Sequence, residues 1–284
     1  MRDHNQILKE YQGKNVVFIH HEWGQNYTSL YNRVAKLWNS IDVGTKIAII
    51  SNKKLGIKSA VKFLEQQGLT PKIIGKGPDN LRLVELEKNE NRTLEKVDTM
   101  EAIGFNFNDR EYKVSIGDAI FSRAGLDVGT RFLLDVVLDS NIDFNNKRVG
   151  DFGSGWGAIS LVLINEFPNA KIFAYEKDES SLEVSRLNLA DKNINIQQVD
   201  LTKDLPLGEE SLDYIVSNPP FHIGKEDRQA IFRNARRMLN SEGELFFLSE
   251  GHFIERFRKS VKEFFTIISE ERSDLYIVFR CKKI

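Results

Sequence analysis

Cysteine is almost missing: Cys281 stands alone among 284 residues. A lone thiol excludes an internal disulfide and a cysteine-based metal site, and it fits a reducing, cytoplasmic setting. An excess of one charge is missing as well. The chain carries 40 Lys and Arg against 41 Asp and Glu, a formal net charge of −1. Bulk charge therefore attracts no nucleic acid, and any such site must be a local patch. No apolar run approaches the ~20 residues needed to span a bilayer, so no membrane partner is expected. The polar stretch Met1 to Gln6 has no apolar h-region, and no secretory signal is expected. The five histidines form no HExxH or comparable ligand cluster, so no metal is expected. Adjacent His20 and His21 would point to opposite faces of a strand. No internal repeat or low-complexity segment stands out.

What is present is alternation. Residues 16–20, 46–50 and 72–75 read as short buried strands. Between them, residues 29–38 and 57–67 place their apolar side chains on one helical face, and Gly68 offers a C-cap after the second. This predicts a small α/β domain over residues 1–100. Its strand ends carry no glycine-rich loop, so no cofactor site is expected there. Residues 86–100 are rich in charge and mark the domain boundary. Residues 112–116 then alternate as a strand, and 131–138 form an apolar helix. From 147 the pattern becomes regular. Strands are expected near 147–152, 170–175, 194–199, 212–217, 244–249, 266–271 and 275–280. Helices are expected near 156–167, 179–191, 226–240 and 252–264. Such a repeat builds a mostly parallel, doubly wound, Rossmann-like sheet with ligands at the carboxyl ends of its strands. Only Arg272-Ser273-Asp274 separates the last two strands, and a hairpin there adds an antiparallel strand at one edge.

The organising stretch is Val149-Gly150-Asp151-Phe152-Gly153-Ser154-Gly155-Trp156-Gly157. A buried strand ends in an acid, glycines follow on alternate positions, and a helix begins. Gly153, Gly155 and Gly157 permit φ > 0 and close backbone approach, and the helix N-terminus presents N–H groups to a ligand. A dinucleotide site would want GxGxxG. Here GxGxG follows an acid, which suits a ligand carrying an ammonium and a carboxylate, as the amino-acid part of S-adenosylmethionine (SAM) does. Asp151 would face the ammonium, directly or through water, and the amides of the loop, Ser154 included, would serve the carboxylate. Glu176 ends the next strand, where a carboxylate can accept both ribose hydroxyls. Asp200, with Leu201 beside it, ends the third, where contacts to the adenine edge would lie. One such acid could be a solvated strand-end residue; three at successive strand ends favour the cofactor.

Asn218-Pro219-Pro220-Phe221 ends the following strand. Two prolines fix the backbone and remove two N–H donors while leaving their carbonyls free to accept. An asparagine side-chain oxygen and a proline carbonyl can together accept from one NH₂ group. That arrangement orients an amine lone pair toward a methyl donor, which is catalysis by positioning and electrostatics. Phe221 could stack on a planar base, and His222 invites a general-base role that an exocyclic amine does not require. Lys225, Arg228, Arg233, Arg236 and Arg237 follow on a helix, either as a phosphate-binding stripe or as an ordinary solvated face.

The chain resembles the RsmC-like small-subunit ribosomal RNA guanine-N2 methyltransferases, within the wider class of NPP(F/Y) amino-methyltransferases. The resemblance covers about residues 112–284. It is carried by the stretch from Phe121-Ser122-Arg123 to Thr130, by the loop Asp151 to Gly157, by Asn218-Pro219-Pro220-Phe221-His222, and by Arg236 to Leu245. It implies a seven-stranded class I methyltransferase domain over residues 101–284 and a SAM cofactor. It also implies a substrate in ribosomal RNA or the small ribosomal subunit, with Phe121 and Arg123 as substrate contacts; Phe221, His222 and, by helix spacing, Arg233 are the further candidate substrate contacts. A base buried in a duplex would have to be flipped out. Residues 1–100 would be a degenerate methyltransferase fold without SAM. Other acceptors of the NPP(F/Y) class, adenine N6 or a protein glutamine, remain open, as does a SAM- or RNA-binding module without turnover. The chain departs from the family in a shorter N-terminal part, in Gly150 where a bulky apolar residue is usual, and in Trp156 where a small residue is usual.

Overall fold

The computed structural model describes residues 2–3, 15–21, 27–53, 56–77, 80–97, 100–117, 125–203 and 208–284. The chain divides into two compact units, Met1–Met100 with Gly117–Phe121, and Glu101–Ile116 with Ser122–Ile284. Among the described residues no helix is long and apolar enough to cross a membrane.

The first unit holds a mixed five-stranded sheet. Its order is β1 (Arg2–Asp3), β4 (Lys72–Lys76), β5 (Leu81–Glu87), β3 (Lys46–Asn52) and β2 (Val16–His21), with helices α1 (Tyr27–Ser40) and α2 (Ile57–Gln66). Strand β5, antiparallel to both neighbours, lies outside the expected strands. Its charges disguise it. Glu85 meets Lys46 of the adjacent strand at 3.0 Å, a cross-strand pair that suits a sheet as well as a loop. The charge-rich residues that follow are laced along α1. The side-chain amides of Asn32 and Asn39 each exchange two hydrogen bonds with the backbone, of Val97 and Leu94 respectively. The buried Lys88 ammonium donates to Trp38 O and Ile41 O, both at 2.7 Å, at the helix end where a cation is favoured.

The second unit is built on a seven-stranded sheet. Its order is β10 (Ile194–Gln198), β9 (Lys171–Glu176), β8 (Arg148–Phe152), β11 (Leu212–Ser217), β12 (Leu239–Glu250), β14 (Tyr276–Lys283) and β13 (Phe265–Arg272). The first five strands are parallel, and β14 runs antiparallel to both its neighbours. The antiparallel strand was expected at the edge; it stands one place in. The reason is burial. Ile277, Val278, Phe279 and Cys281 of β14 are fully covered, whereas β13 carries Ser269-Glu270-Glu271-Arg272, charges that suit an edge strand.

Helices α3 (Val128–Asp139), α4 (Ala158–Glu166), α5 (Glu179–Asn188), α6 (Lys225–Met238) and α7 (Ile254–Val261) belong to the same unit. Helix α4 is apolar nearly all round and buried on nearly all sides, as its position between covered layers requires. Phe232, Phe247, Phe257, Phe265 and Phe279 form the aromatic part of the core shared by α6, α7 and the sheet. A separate hairpin pairs β6 (Glu101–Phe107) with β7 (Arg110–Ile116) through Asn108 and Asp109, both at positive φ, the two-residue turn that matches strand twist. Strand β6 also lies outside the expected strands. Strand order reverses at β8: β9 and β10 lie on one side of it, β11 on the other. This switch point opens a crevice at the carboxyl ends of β8 and β11.

Candidate active site

The glycine loop sits at the end of β8. Gly153, Gly155 and Gly157 have φ of +76°, +54° and +93°, so a side chain at any of the three would be strained. At Gly153 and Gly155 a Cβ would meet nothing within 4 Å. The two glycines thus keep space open over the loop, while Gly157 packs tightly, its Cβ position 2.9 Å from Leu189 Cδ1. The loop amides were expected to serve a ligand carboxylate. Four of the five, all but that of Trp156, are tied within the protein. The N–H groups of Gly153 and Ser154 donate to Tyr175 O, that of Gly157 donates to Ser154 O, and that of Gly155 donates to Glu176 Oε2 at 2.9 Å. The buried Ser154 hydroxyl has no partner among the described residues.

Asp151 is fully buried. Its Oδ2 accepts from the backbone N–H of Ser160 at 3.0 Å and from Ser160 Oγ at 2.7 Å, in the first turn of α4. Its Oδ1 is buried with no partner. Burial pushes the carboxyl up to about 7; the two Ser160 hydrogen bonds oppose the rise and the nearby Glu176 charge adds to it. Glu176, half-buried at the end of β9, accepts from the N–H groups of Lys177 and Asp178 with Oε1. Asp200 follows β10, and its Oδ1 accepts from Thr202 N and Oγ1. Desolvation of Asp200 is outweighed by these bonds and by Lys177 and Lys203, so its carboxyl lies below the usual range. The Leu201 side chain packs in the core, and Leu201 O accepts from the buried Asn234 amide. Trp156 turns away from the open side of the loop: it is buried, edge-on to Phe105 of the β6–β7 hairpin at 5.8 Å. Its ring therefore takes no room beside Gly153 and Gly155, where a Cβ would meet nothing within 4 Å.

Across the crevice, Phe152 and Ser217 are register partners of β8 and β11, and Ser217 Oγ donates to Phe152 O at 2.8 Å. Asn218 and Gly153 are the next residues on the two strands, so the asparagine and the glycine loop emerge side by side. Asn218 is half-buried, Pro219 buried and Pro220 exposed. Asn218 Nδ2 donates to Thr130 Oγ1 at 2.8 Å. Phe221 joins an aromatic group, stacked on Phe253 at 6.3 Å and tilted against Tyr276 at 6.4 Å. His222 is exposed and edge-on to Phe253 at 5.0 Å.

One expectation about the basic residues changes. Arg228 is only 7% exposed, donates to Ile223 O at 2.7 Å and lies over the Phe257 ring. It braces the loop after Phe221 and belongs to no exposed stripe. Arg236 donates to Ile284 O. Arg233 is exposed, but it lies eight residues into α6, about 12 Å along the axis. Phe121 and Arg123 lie outside the described residues. Residue type alone assigns no role to Ser160, Thr130, Phe253 or Tyr276. The one local signal among them is Asp127-x-x-Thr130, a helix N-cap spacing: Asp127 Oδ1 accepts from Thr130 N at 2.9 Å. Among the described residues no group of His, Cys, Asp or Glu is arranged to hold a metal.

A parallel sheet with a reversed strand near one edge, and an acid-and-glycine crevice at its switch point, defines the class I methyltransferase fold. The chain belongs to the methyltransferase small domain family, whose model matches residues 111–278. It is similar to ribosomal RNA small subunit methyltransferase C of Actinobacillus pleuropneumoniae serotype 7 (strain AP76), at 29% identity over 231 residues, 78% of this chain and 66% of that one. It is 27% identical over 262 residues to the protein of the same name from Escherichia coli (strain SMS-3-5 / SECEC), covering 85% and 73%. The chain thus spans about two thirds of the length of the curated relatives it matches. Among solved structures, the T. thermophilus 16S rRNA N2 methyltransferase RsmC in complex with AdoMet and guanosine matches 95% of this chain and 73% of that chain, with a TM-score of 0.76 at 21% identity. That likeness is one of fold. Together the matches bear out the RsmC-like resemblance.

Proposed function

We propose that this protein is a SAM-dependent methyltransferase that modifies the exocyclic N2 amine of a guanine in small-subunit ribosomal RNA. The observation that carries the reading is the pairing of Phe152 with Ser217, which sets Asn218 beside the glycine loop. The relatives named ribosomal RNA small subunit methyltransferase C support the choice of acceptor.

The residues fit SAM on two counts. The space over Gly153 and Gly155 is open, and two buried polar atoms, Asp151 Oδ1 and Ser154 Oγ, have no partner. Asp151 would hold the ammonium, Glu176 a ribose hydroxyl on the one acceptor site its three backbone bonds leave free, and the Asp200 turn the adenine edge. When bound, SAM supplies a methyl group on a positively charged sulfur. Asn218 Oδ1 and a proline carbonyl accept the two hydrogens of the target amine, which leaves its nitrogen lone pair aimed at the donor. Phe221 supplies an aromatic edge for a planar base, and the target must be extruded from any duplex to reach it. The nitrogen is cationic once methylated and gives its proton to solvent as S-adenosylhomocysteine departs, so no strong base is needed and His222 carries no required proton. The first unit, whose described strand ends hold no glycine loop, serves RNA recognition in this reading.

Incubation with labelled SAM and small-subunit RNA or particles, followed by mass spectrometry of the nucleosides, tests the proposal. N2-methylguanosine is expected, and Asn218→Ala is expected to abolish transfer while SAM still binds. Label in N6-methyladenosine or in protein would assign a different acceptor, and full activity of Asn218→Ala would remove the mechanism.

A further inference from the structure

We propose that Thr130 is a positioning residue that holds the Asn218 side chain with its oxygen toward the acceptor amine. The inference rests on the amine-methyltransferase reading above. A primary amide has an accepting end and a donating end of nearly the same shape. Only the oxygen can receive the hydrogens of an incoming amine; the NH₂ end would repel them. Something must therefore choose the orientation, and the proline pair cannot, because it fixes backbone rather than the last side-chain torsion.

Thr130 supports that choice from the inner side by accepting from the NH₂ end, and the amine arriving outside completes it. Asn218 Nδ2 donates to Thr130 Oγ1 at 2.8 Å, and Thr130 is 5% exposed. The NH₂ end is thus engaged on the inner side, while among the described residues Oδ1 has no partner. The threonine is itself tightly located. Its backbone N–H is held by the Asp127 carboxylate that caps α3. Its neighbour Gly129 brings α3 so close to the sheet that a Cβ there would sit 2.8 Å from Leu248 Cδ2 and 3.1 Å from Tyr276 Cε1. A threonine hydroxyl can accept or donate, so a turned amide could also bond to it. The turned amide, however, would point its own N–H groups at the amine. With oxygen outward, both the inner hydroxyl and the outer amine are satisfied. Valine in place of Thr130 keeps the shape and removes the acceptor, so Asn218 loses its reason to keep nitrogen inward. Serine keeps the acceptor.

Thr130→Val and Thr130→Ser separate positioning from packing. In Thr130→Val, kcat is expected to fall about tenfold to a hundredfold, as for a misplaced reacting group. KM for RNA and the affinity for SAM should stay near those of the parent protein, and Thr130→Ser should restore most of kcat. A Thr130→Val protein with parental kcat, or a Thr130→Ser protein as slow as Thr130→Val, would overturn the proposal. A second measurement does not use activity. The side-chain NH₂ resonances of Asn218, assigned by their loss in Asn218→Ala, should move in Thr130→Val and stay in place in Thr130→Ser. Unmoved resonances in Thr130→Val would also overturn it. If the parent protein methylates no amine, the functional reading fails, and the resonances still decide whether Thr130 governs Asn218.

Discussion

The backbone N–H of Gly155 donates to Glu176 Oε2 at 2.9 Å. This bond ties the tip of the glycine loop to the end of the neighbouring strand. Because Oε1 already accepts from Lys177 and Asp178, the carboxylate collects three backbone donors and retains acceptor capacity on Oε2 alone. The residue proposed to bind ribose therefore also shapes the loop. Glu176→Ala should weaken SAM binding about tenfold to a hundredfold, the effect of losing hydrogen bonds to a charged acceptor worth roughly 1.5–3 kcal/mol. Glu176→Gln, which keeps an accepting oxygen, should fall between. Calorimetric titration with SAM checks both; unchanged affinity in Glu176→Ala would remove the ribose role.

Asp151 makes the site sensitive to pH. Burial pushes its carboxyl up to about 7, well above an unfolded chain's value of about 3.9. A carboxyl raised on folding favours the protonated native state. Its stabilising contribution is present at low pH and is lost as pH rises from about 4 through about 7, with a slope of at most ~1.4 kcal/mol per pH unit. Unfolding free energy from urea titrations should fall over that window, and the fall should flatten in Asp151→Asn. Ligand binding runs the other way, because an ammonium prefers the carboxylate. SAM affinity should rise as pH passes through about 7, with proton release, and Asp151→Asn should lose that rise. A pH-independent affinity in the parent protein would argue against an Asp151–ammonium contact.

The sheet was legible because its strands are short apolar runs separated by amphipathic helices, and because the acids and glycines fall at strand ends. Besides the two-residue β1, two strands escaped the pattern for one reason. Leu81–Glu87 and Glu101–Phe107 mix charged or polar residues among the apolar ones, and in sequence this reads as linker. Their partners are distant or across a turn, so pairing rather than local preference makes them strands. The site divides in the same way. That Asn218 stands beside the glycine loop follows from topology. That its amide meets Thr130, 88 positions earlier, depends on how closely Gly129 lets α3 approach, and no local pattern shows this. Likewise Arg228 looked like one more exposed cation on α6 until its helical face was fixed by Phe232 and Ala235, both buried with it.

Gly150 shows how a departure from family pattern is accommodated. Its φ is not positive, so backbone freedom does not explain it. A Cβ at Gly150 would lie 2.7 Å from Leu212 Cδ1, 3.3 Å from Phe152 Cε1 and 3.4 Å from Ile215 Cγ1. Leu212, 1% exposed on the adjacent β11, occupies the room that a larger residue would take. The two positions share one volume, so their substitutions should be coupled. Gly150→Val should destabilise by about 1–3 kcal/mol through overpacking, and Leu212→Ala by about 2–5 kcal/mol through the cavity it leaves. In the double variant the valine should fill part of that cavity, making the combined loss smaller than the sum by about 0.5–3 kcal/mol. Urea unfolding of the parent, the two single variants and the double variant measures the difference. Strict additivity would mean that the leucine does not occupy the space the glycine leaves.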